Sequence, residues 1–264
     1  HHDSTCQARQ VEVLCLLLLC RRDGCQRVDH PQLSIPTDLE EARAGFWIAV
    51  DKPLEWTSFD VVAKVRNALK KRYATRIKIG HAGTLDPLAT GMLVLAVGRA
   101  TKDIESVMAG AKTYTATLKL GAVTSSYDAE TPEQPTGHPI PELTEELAAA
   151  LTAKFTGEVL QVPPLFSAVK IDGARAYDLA RSGKTAEIKA RPVQIHRLEI
   201  SALVPDVWEL TVGCGKGTYI RSLAHDIGQH LGCGAYLTAL RRTEVVPFAT
   251  MSSLDEVLAA VQSS

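Results

Sequence analysis

The stretch Gly80-His81-Ala82-Gly83-Thr84-Leu85-Asp86-Pro87-Leu88-Ala89-Thr90-Gly91 restricts this chain more than any other. It places one carboxylate, Asp86, in a loop containing three glycines, with a histidine upstream and a proline directly after. The following proline turns Asp86 away from helical angles towards extended ones. The glycines let backbone pass where a side chain would clash. Such a loop presents a single acid at the floor of a cleft; its plain alternative is an Asx turn. The flanks favour the cleft. Residues 92–97 are wholly apolar and read as a strand inside a sheet. Between Asp60 and Asp86 stand Lys64, Arg66, Lys70, Lys71, Arg72, Arg76 and Lys78, with no Asp or Glu. The whole chain is nearly neutral, at formal charge −1, so charge is segregated rather than added. A solvated helix face would normally carry both signs. A one-signed segment beside a glycine-rich loop suits a polyanion, and here a nucleic acid.

At 264 residues and 45% hydrophobic content, the chain has room for one large or two small domains with a real core. Of its six cysteines, Cys6, Cys15, Cys20 and Cys25 crowd the start, and only Cys214 and Cys233 lie beyond. A secreted disulfide framework would spread its cysteines, so the body reads as reduced and cytoplasmic. No apolar run approaches the roughly 18 residues of a membrane span. Residues 1–44 read as a leader, disordered or foreign to the fold, followed by one domain over 45–264. The apolar run 11–20 precedes Arg21 and Arg22 and contains Glu12, the reverse of a secretory signal. The spacing of Cys15, Cys20 and Cys25 is not that of a structural zinc site, and no metal is expected.

Periodicity predicts a strand at 46–50, and a helix over 59–70 capped near Ser58. It also predicts a half-buried strand at 114–120 and a helix over 143–155 opened by Thr144. Residues 193–203 and 207–212 read as a hairpin, and 219–231 as a helix closed by Gly232. Strands and helices mix without a strict βαβ rhythm, which predicts an α+β fold with a mixed, mostly antiparallel central sheet flanked by helices.

The loop around Asp86 closely resembles the catalytic motif of bacterial TruB-type pseudouridine synthases, which isomerise uridine 55 in the T-loop of tRNA. Further matches follow in order: Asp51-Lys52-Pro53 with Thr57-Ser58, Gly98-Arg99-Ala100-Thr101-Lys102, Lys112-Thr113-Tyr114, and Gln161-Val162-Pro163-Pro164 through Ser167-Ala168-Val169-Lys170. The segments 173–181, Gly217-Thr218-Tyr219-Ile220-Arg221 and Leu240-Arg241-Arg242-Thr243 complete the series, covering roughly residues 46–250. The resemblance implies a pseudouridine synthase fold acting on the T-arm of tRNA as a cytoplasmic monomer, with no cofactor, metal or membrane.

The resemblance also distributes the roles. Asp86 is the catalytic nucleophile, whether by attack on the sugar carbon or by promoting elimination, and Arg221 the cation that keeps a desolvated carboxylate ionised. Tyr114 is the ring under the target base, and Tyr219 lines the pocket. His81 enters the T-loop stack as the base leaves, and Lys102, Leu240 and Lys52 contact substrate. Lys70, Lys71 and Arg72 face the RNA backbone. Residues 159–191 form an RNA-clasping insertion through Lys170, Arg175 and Arg181, joined by Lys184, Lys189 and Arg191. Two departures stand out. Asp128-Ala129-Glu130 is followed by Thr131 where the family usually has a glycine, and beside the family pattern no full C-terminal RNA-binding domain is expected before Ser264.

Two other readings compete. Gly213-Cys214-Gly215-Lys216-Gly217-Thr218 lies between a strand and a helix, as in a nucleotide kinase, but Leu210 stands where a phosphate loop requires its first glycine. A non-catalytic RNA chaperone of the same fold would be marked by loss of Asp86 or Arg221, and both are present.

Overall fold

The computed structural model describes residues 33–167, 170–171, 174–183 and 187–263. In chain order they begin with α1 (Leu39–Ala44), β1 (Phe46–Lys52), α2 (Ser58–Tyr73), β2 (Ile79–His81), β3 (Ala89–Val97), a 3-10 turn (Gly98–Asp103) and α3 (Ile104–Met108). There follow β4 (Lys112–Leu120), β5 (Ala122–Val123), β6 (Gln134–Pro135), α4 (Glu145–Phe155), β7 (Gly157–Gln161), β8 (Lys170–Ile171), β9 (Ala174–Arg175) and α5 (Ala176–Arg181). The chain closes with β10 (Arg191–Val204), β11 (Val207–Cys214), α6 (Ile220–Leu231), β12 (Ala235–Val245), β13 (Ser252–Ser253) and α7 (Leu254–Ser263). These elements form two compact units. The first runs up to Lys112 and resumes at Arg241; the second is Thr113–Leu240.

In the first unit β3 is the central strand, as its apolar sequence predicts. It pairs antiparallel with β1 from Phe46↔Val97 to Lys52↔Gly91, and with β2 from Ile79↔Val97 to His81↔Leu95. From Gly91 to Val97 every β3 residue is buried. Helix α2 starts one residue earlier than expected. Its cap is Thr57, in a reciprocal box: Asp60 N donates to Thr57 Oγ1 at 3.0 Å and Thr57 N to Asp60 Oδ2 at 2.9 Å. Such a cap contributes about 1 kcal/mol. Ser58 is thereby freed for another task. The helix buries Val61, Val62, Val65 and Leu69, and runs on to Tyr73.

Hydrogen bonds reach back beyond the expected leader boundary at residue 44. Arg72 Nη2 and Tyr73 Oη both donate to the Pro36 carbonyl, at 3.1 and 2.5 Å, and Asp38 caps α1 by accepting from Glu41 N at 2.9 Å. Residues from Pro36 onwards are thus built into the first unit. Residues 1–32, with their four cysteines, lie outside the described residues.

The second unit holds a sheet in the order β4-β11-β10-β7. The predicted hairpin is β10 with β11, antiparallel, with a register shift between Ile195 and Arg197. Its core gathers Leu118, Leu151, Trp208, Leu210 and Leu223, all with no exposed surface. Helix α4 is capped by Thr144, and α6 ends at Gly232 with φ 79, a left-handed angle that glycine adopts without strain. The arrangement is α+β with a mixed sheet and flanking helices, as expected. Among the described residues no helix is long and apolar enough to cross a membrane.

Candidate active site

The first unit braces the Asp86 loop on both sides. Ser58, the first residue of α2, is buried and makes a two-way contact with Leu85: its Oγ accepts from Leu85 N at 2.9 Å and donates to Leu85 O at 3.0 Å. On the other side, the Pro87 carbonyl accepts from Glu55 N at 2.8 Å and from Lys52 Nζ at 3.3 Å. The Asp86 carbonyl accepts from Ala89 N at 2.9 Å. Backbone on both flanks of Asp86 is therefore fixed, while Asp86 itself is half-buried.

Lys52 has no exposed surface. Its ammonium also donates to Pro53 O at 2.9 Å and Trp56 O at 2.6 Å, so three backbone carbonyls match its three donors. Burial pushes its pKa down to about 8, against the pull of the Asp86 and Asp60 charges. Lys52 is expected to contact substrate, and its ammonium is enclosed by these carbonyls in the structure. With its donors engaged inside the protein, Lys52 positions the loop.

Arg242 braces the loop from below. It is 2% exposed, and donates from Nε to Met92 O at 2.8 Å and from Nη2 to Gly83 O at 3.0 Å. The Arg242 backbone passes so close to Gly91 that a Cβ there would sit 2.1 Å from the Arg242 carbonyl oxygen. Glycine at 91 is a requirement of that approach, and its φ of 100 adds to it. His81 ends β2, half-buried; burial lowers its pKa first and the Arg242 charge lowers it further, while a backbone contact with Gly83 raises it.

In the second unit Arg221 occupies the first turn of α6 and is 5% exposed. Its Nη1 donates to Ser126 O at 3.1 Å and stands 3.9 Å from Asp128 Oδ2, and its Nη2 donates to Phe166 O at 2.8 Å. Asp128 is held in turn: its Oδ1 accepts from Ser126 Oγ at 2.6 Å and from Glu130 N at 2.9 Å. Tyr219 precedes α6 and is clamped by Gln161, whose Oε1 accepts from Tyr219 N at 3.0 Å and whose Nε2 donates to Tyr219 O at 3.2 Å. Ser222 Oγ donates to Val162 O at 2.7 Å, so the root of the predicted clasp is tied to the start of α6. Tyr114 lies on β4, 8% exposed, within the core cluster of this unit, and Leu240 packs against the same cluster, half-buried.

The basic residues divide into two kinds. Lys64, Arg66, Lys70, Lys71 and Lys102 are exposed, and Lys64, Lys70 and Lys71 line a cleft with Asn67, Leu258 and Gln262. Arg72 is different. Its Nη1 donates to Val261 O at 3.0 Å and its Nη2 to Pro36 O, so this guanidinium ties α2 to α7 and α1 rather than joining the lysines at the surface. Arg175 and Arg181 are exposed, and the Lys170 backbone pairs with Arg175 in the β8–β9 hairpin. Lys184 lies outside the described residues. Among the described residues no group of three or more His, Cys, Asp or Glu is placed to hold a metal ion.

Sequence reasoning passed over Ser58 as a brace, and Arg242 and Asp128 as site groups. Arg242 lay inside a quoted motif, and an arginine beside the apolar end of β12 was the available signal. In the sequence Asp128 stands out only for the missing glycine after it. The phosphate-loop reading of 213–218 finds no support, since the turn into α6 ends on Tyr219, whose N–H is already donated to Gln161.

A protein of Phocaeicola vulgatus named tRNA pseudouridine synthase B is 49% identical over 205 residues, 77% of this chain and 86% of that protein. One of the same name from Flavobacterium johnsoniae is 43% identical over 221 residues, 83% of this chain and 96% of that protein. Among solved structures, a Cbf5-Nop10-Gar1 complex matches with a TM-score of 0.62 at 30% identity, over 83% of this chain and 54% of the matched chain, so this chain spans about half the length of that one. The model of the TruB family pseudouridylate synthase N-terminal domain matches residues 70–220, and that of the tRNA pseudouridylate synthase B C-terminal domain matches 221–264. With a family model over more than half its length, and relatives this similar along most of theirs, the chain belongs to the TruB family of pseudouridylate synthases.

Proposed function

We propose that the chain isomerises uridine to pseudouridine in tRNA, at position 55 of the T-loop, with Asp86 as the catalytic nucleophile. Family membership and the names of its relatives support the reaction. The observation that carries Asp86 is the bracing of its loop: Leu85 is held by Ser58, and Pro87 by Lys52 and Glu55. A carboxylate on a fixed backbone is what attack on a flipped nucleotide needs, because small displacements of a reacting group are costly in rate.

The isomerisation breaks the bond from base nitrogen to sugar, turns the base, and rejoins it through carbon five. The proton displaced from carbon five is returned to the ring nitrogen, so no redox change or external energy is involved. Arg221 is the cation of this reading, and Asp128 and the Ser126 carbonyl hold its guanidinium in place. Flipping the uridine costs a few kcal/mol. Stacking on Tyr114 returns about 1–3 kcal/mol, and in this reading Tyr114 also takes the carbon-five proton. Tyr219, clamped by Gln161, lines the pocket with Leu240, and His81 fills the stack the base has left. Lys70, Lys71, Lys102, Lys170, Arg175 and Arg181 meet phosphates, which set register and affinity while the pocket sets the chemistry. The chain acts as a monomer in the cytoplasm.

The test is incubation of the chain with an unmodified T-arm hairpin, followed by carbodiimide mapping of pseudouridine. A single new stop at the uridine of position 55 is expected. Modification at another position, or at none, contradicts the substrate assignment.

A further inference from the structure

Arg221 is held by a turn whose middle residue has an unfavourable backbone. Tyr127, between Ser126 and Asp128, has φ 66, a left-handed angle that is an outlier for an aromatic residue. Glycine would be the ordinary occupant. The turn is anchored by backbone on both sides: Tyr127 N donates to Thr124 O at 3.3 Å, and Leu237 N donates to Tyr127 O at 2.9 Å. Those bonds do not require a tyrosine. What the side chain adds is a stack, with the Tyr127 and His225 rings 3.9 Å apart at an interplanar angle of 11°. His225 follows Arg221 by four residues on α6, so the two share one helix face. That face holds the turn at successive residues: Arg221 reaches the Ser126 carbonyl and the Asp128 carboxylate, and His225 covers the ring between them. His225 Nδ1 is buried without a hydrogen-bond partner among the described residues, so packing accounts for the placement of this ring where that atom's hydrogen bonding does not. Burial also lowers the His225 pKa, which favours an uncharged ring for stacking at neutral pH.

We infer that the Tyr127–His225 stack is a positioning device for Arg221, fixing the turn whose Ser126 carbonyl and Asp128 carboxylate set where the guanidinium points. This rests on the reading of Arg221 as a catalytic group. Neither ring is required to touch the nucleotide.

The test measures single-turnover rate and RNA affinity on unmodified T-arm RNA for His225→Ala, His225→Phe and Tyr127→Gly, beside the wild-type chain. His225→Ala and Tyr127→Gly lose about tenfold or more in rate, with affinity changed by less than about threefold. Tyr127→Gly keeps its melting midpoint, because glycine takes the left-handed angle freely, so its loss is not one of folding. His225→Phe retains a flat ring and stays near the wild-type rate. In an Asp128→Asn background, His225→Ala adds little further loss, because both act through Arg221. The stack is overturned if His225→Ala and Tyr127→Gly keep the wild-type rate, if His225→Phe is as slow as His225→Ala, or if the losses in the double variant simply multiply. A wild-type chain that makes no product overturns the proposed function along with it; an active wild type with unaffected variants overturns the stack alone.

Discussion

Lys52 Nζ donates to the carbonyl oxygen of Pro87 at 3.3 Å, joining the last residue of β1 to the residue that follows Asp86. The same ammonium gathers the carbonyls of Pro53 and Trp56, so a buried cation organises the backbone on one side of the loop. Its pKa falls to about 8 in the folded chain, from an ordinary lysine value of 10.5. Between those two values the unfolded chain binds a proton that the folded chain has released. The contribution of Lys52 to stability therefore rises as the pH passes from about 8 to about 10.5, and below that window the fold bears the full cost of a buried ammonium. Lys52→Met should abolish this rise. Urea midpoints of both proteins at about pH 7 and about pH 10 check it; an equal pH response in the two would contradict the assignment.

Arg242→Met should destabilise by about 2–4 kcal/mol, because it leaves the Met92 and Gly83 carbonyls buried without their charged donor. Arg242→Lys keeps a charge but not the planar fork that spans both carbonyls, so it should fall between Met and wild type. Denaturant unfolding measures the order of the three. Arg242→Met at wild-type stability would mean that the two bonds are not formed in solution.

Charge removal on α2 should separate two effects. Lys70→Ala with Lys71→Ala should flatten the dependence of RNA affinity on salt, since each lost phosphate contact reduces the log–log slope by roughly 0.7 to 0.9. Arg72→Ala should instead lower the melting midpoint and leave that slope unchanged, because its donors reach Val261 and Pro36. A salt slope altered by Arg72→Ala, or unmoved by the lysine pair, would put the RNA on another face.

The elements legible from the chain were those written in local pattern. The apolar run of β3, the Thr144 cap of α4 and the Gly232 stop of α6 each follow from neighbouring residues, and each is present. The cap of α2 was misplaced by one residue because Thr57 and Ser58 are equally good capping types. Only the side chain of Asp60, three residues beyond Thr57, decides between them. The braces of the site were not legible for a different reason. Arg242 meets Gly83 across 159 positions, and Arg221 meets Ser126 across 95, so their partners are chosen by the fold and not by spacing. A buried arginine and a surface arginine look alike in a sequence. Arg72 reads like its lysine neighbours in the sequence for the same reason, while its donors reach Val261 and Pro36 in the fold.

The most direct test of the central claim, that Asp86 is the catalytic nucleophile on a loop built to hold it, is single-turnover pseudouridine formation by Asp86→Asn, measured beside its affinity for T-arm RNA. Asparagine keeps the shape of the side chain and removes the charge. The account predicts no detectable product, with affinity changed by less than about tenfold, or 1.4 kcal/mol. Product at the wild-type rate, or a collapse of RNA binding, would contradict it.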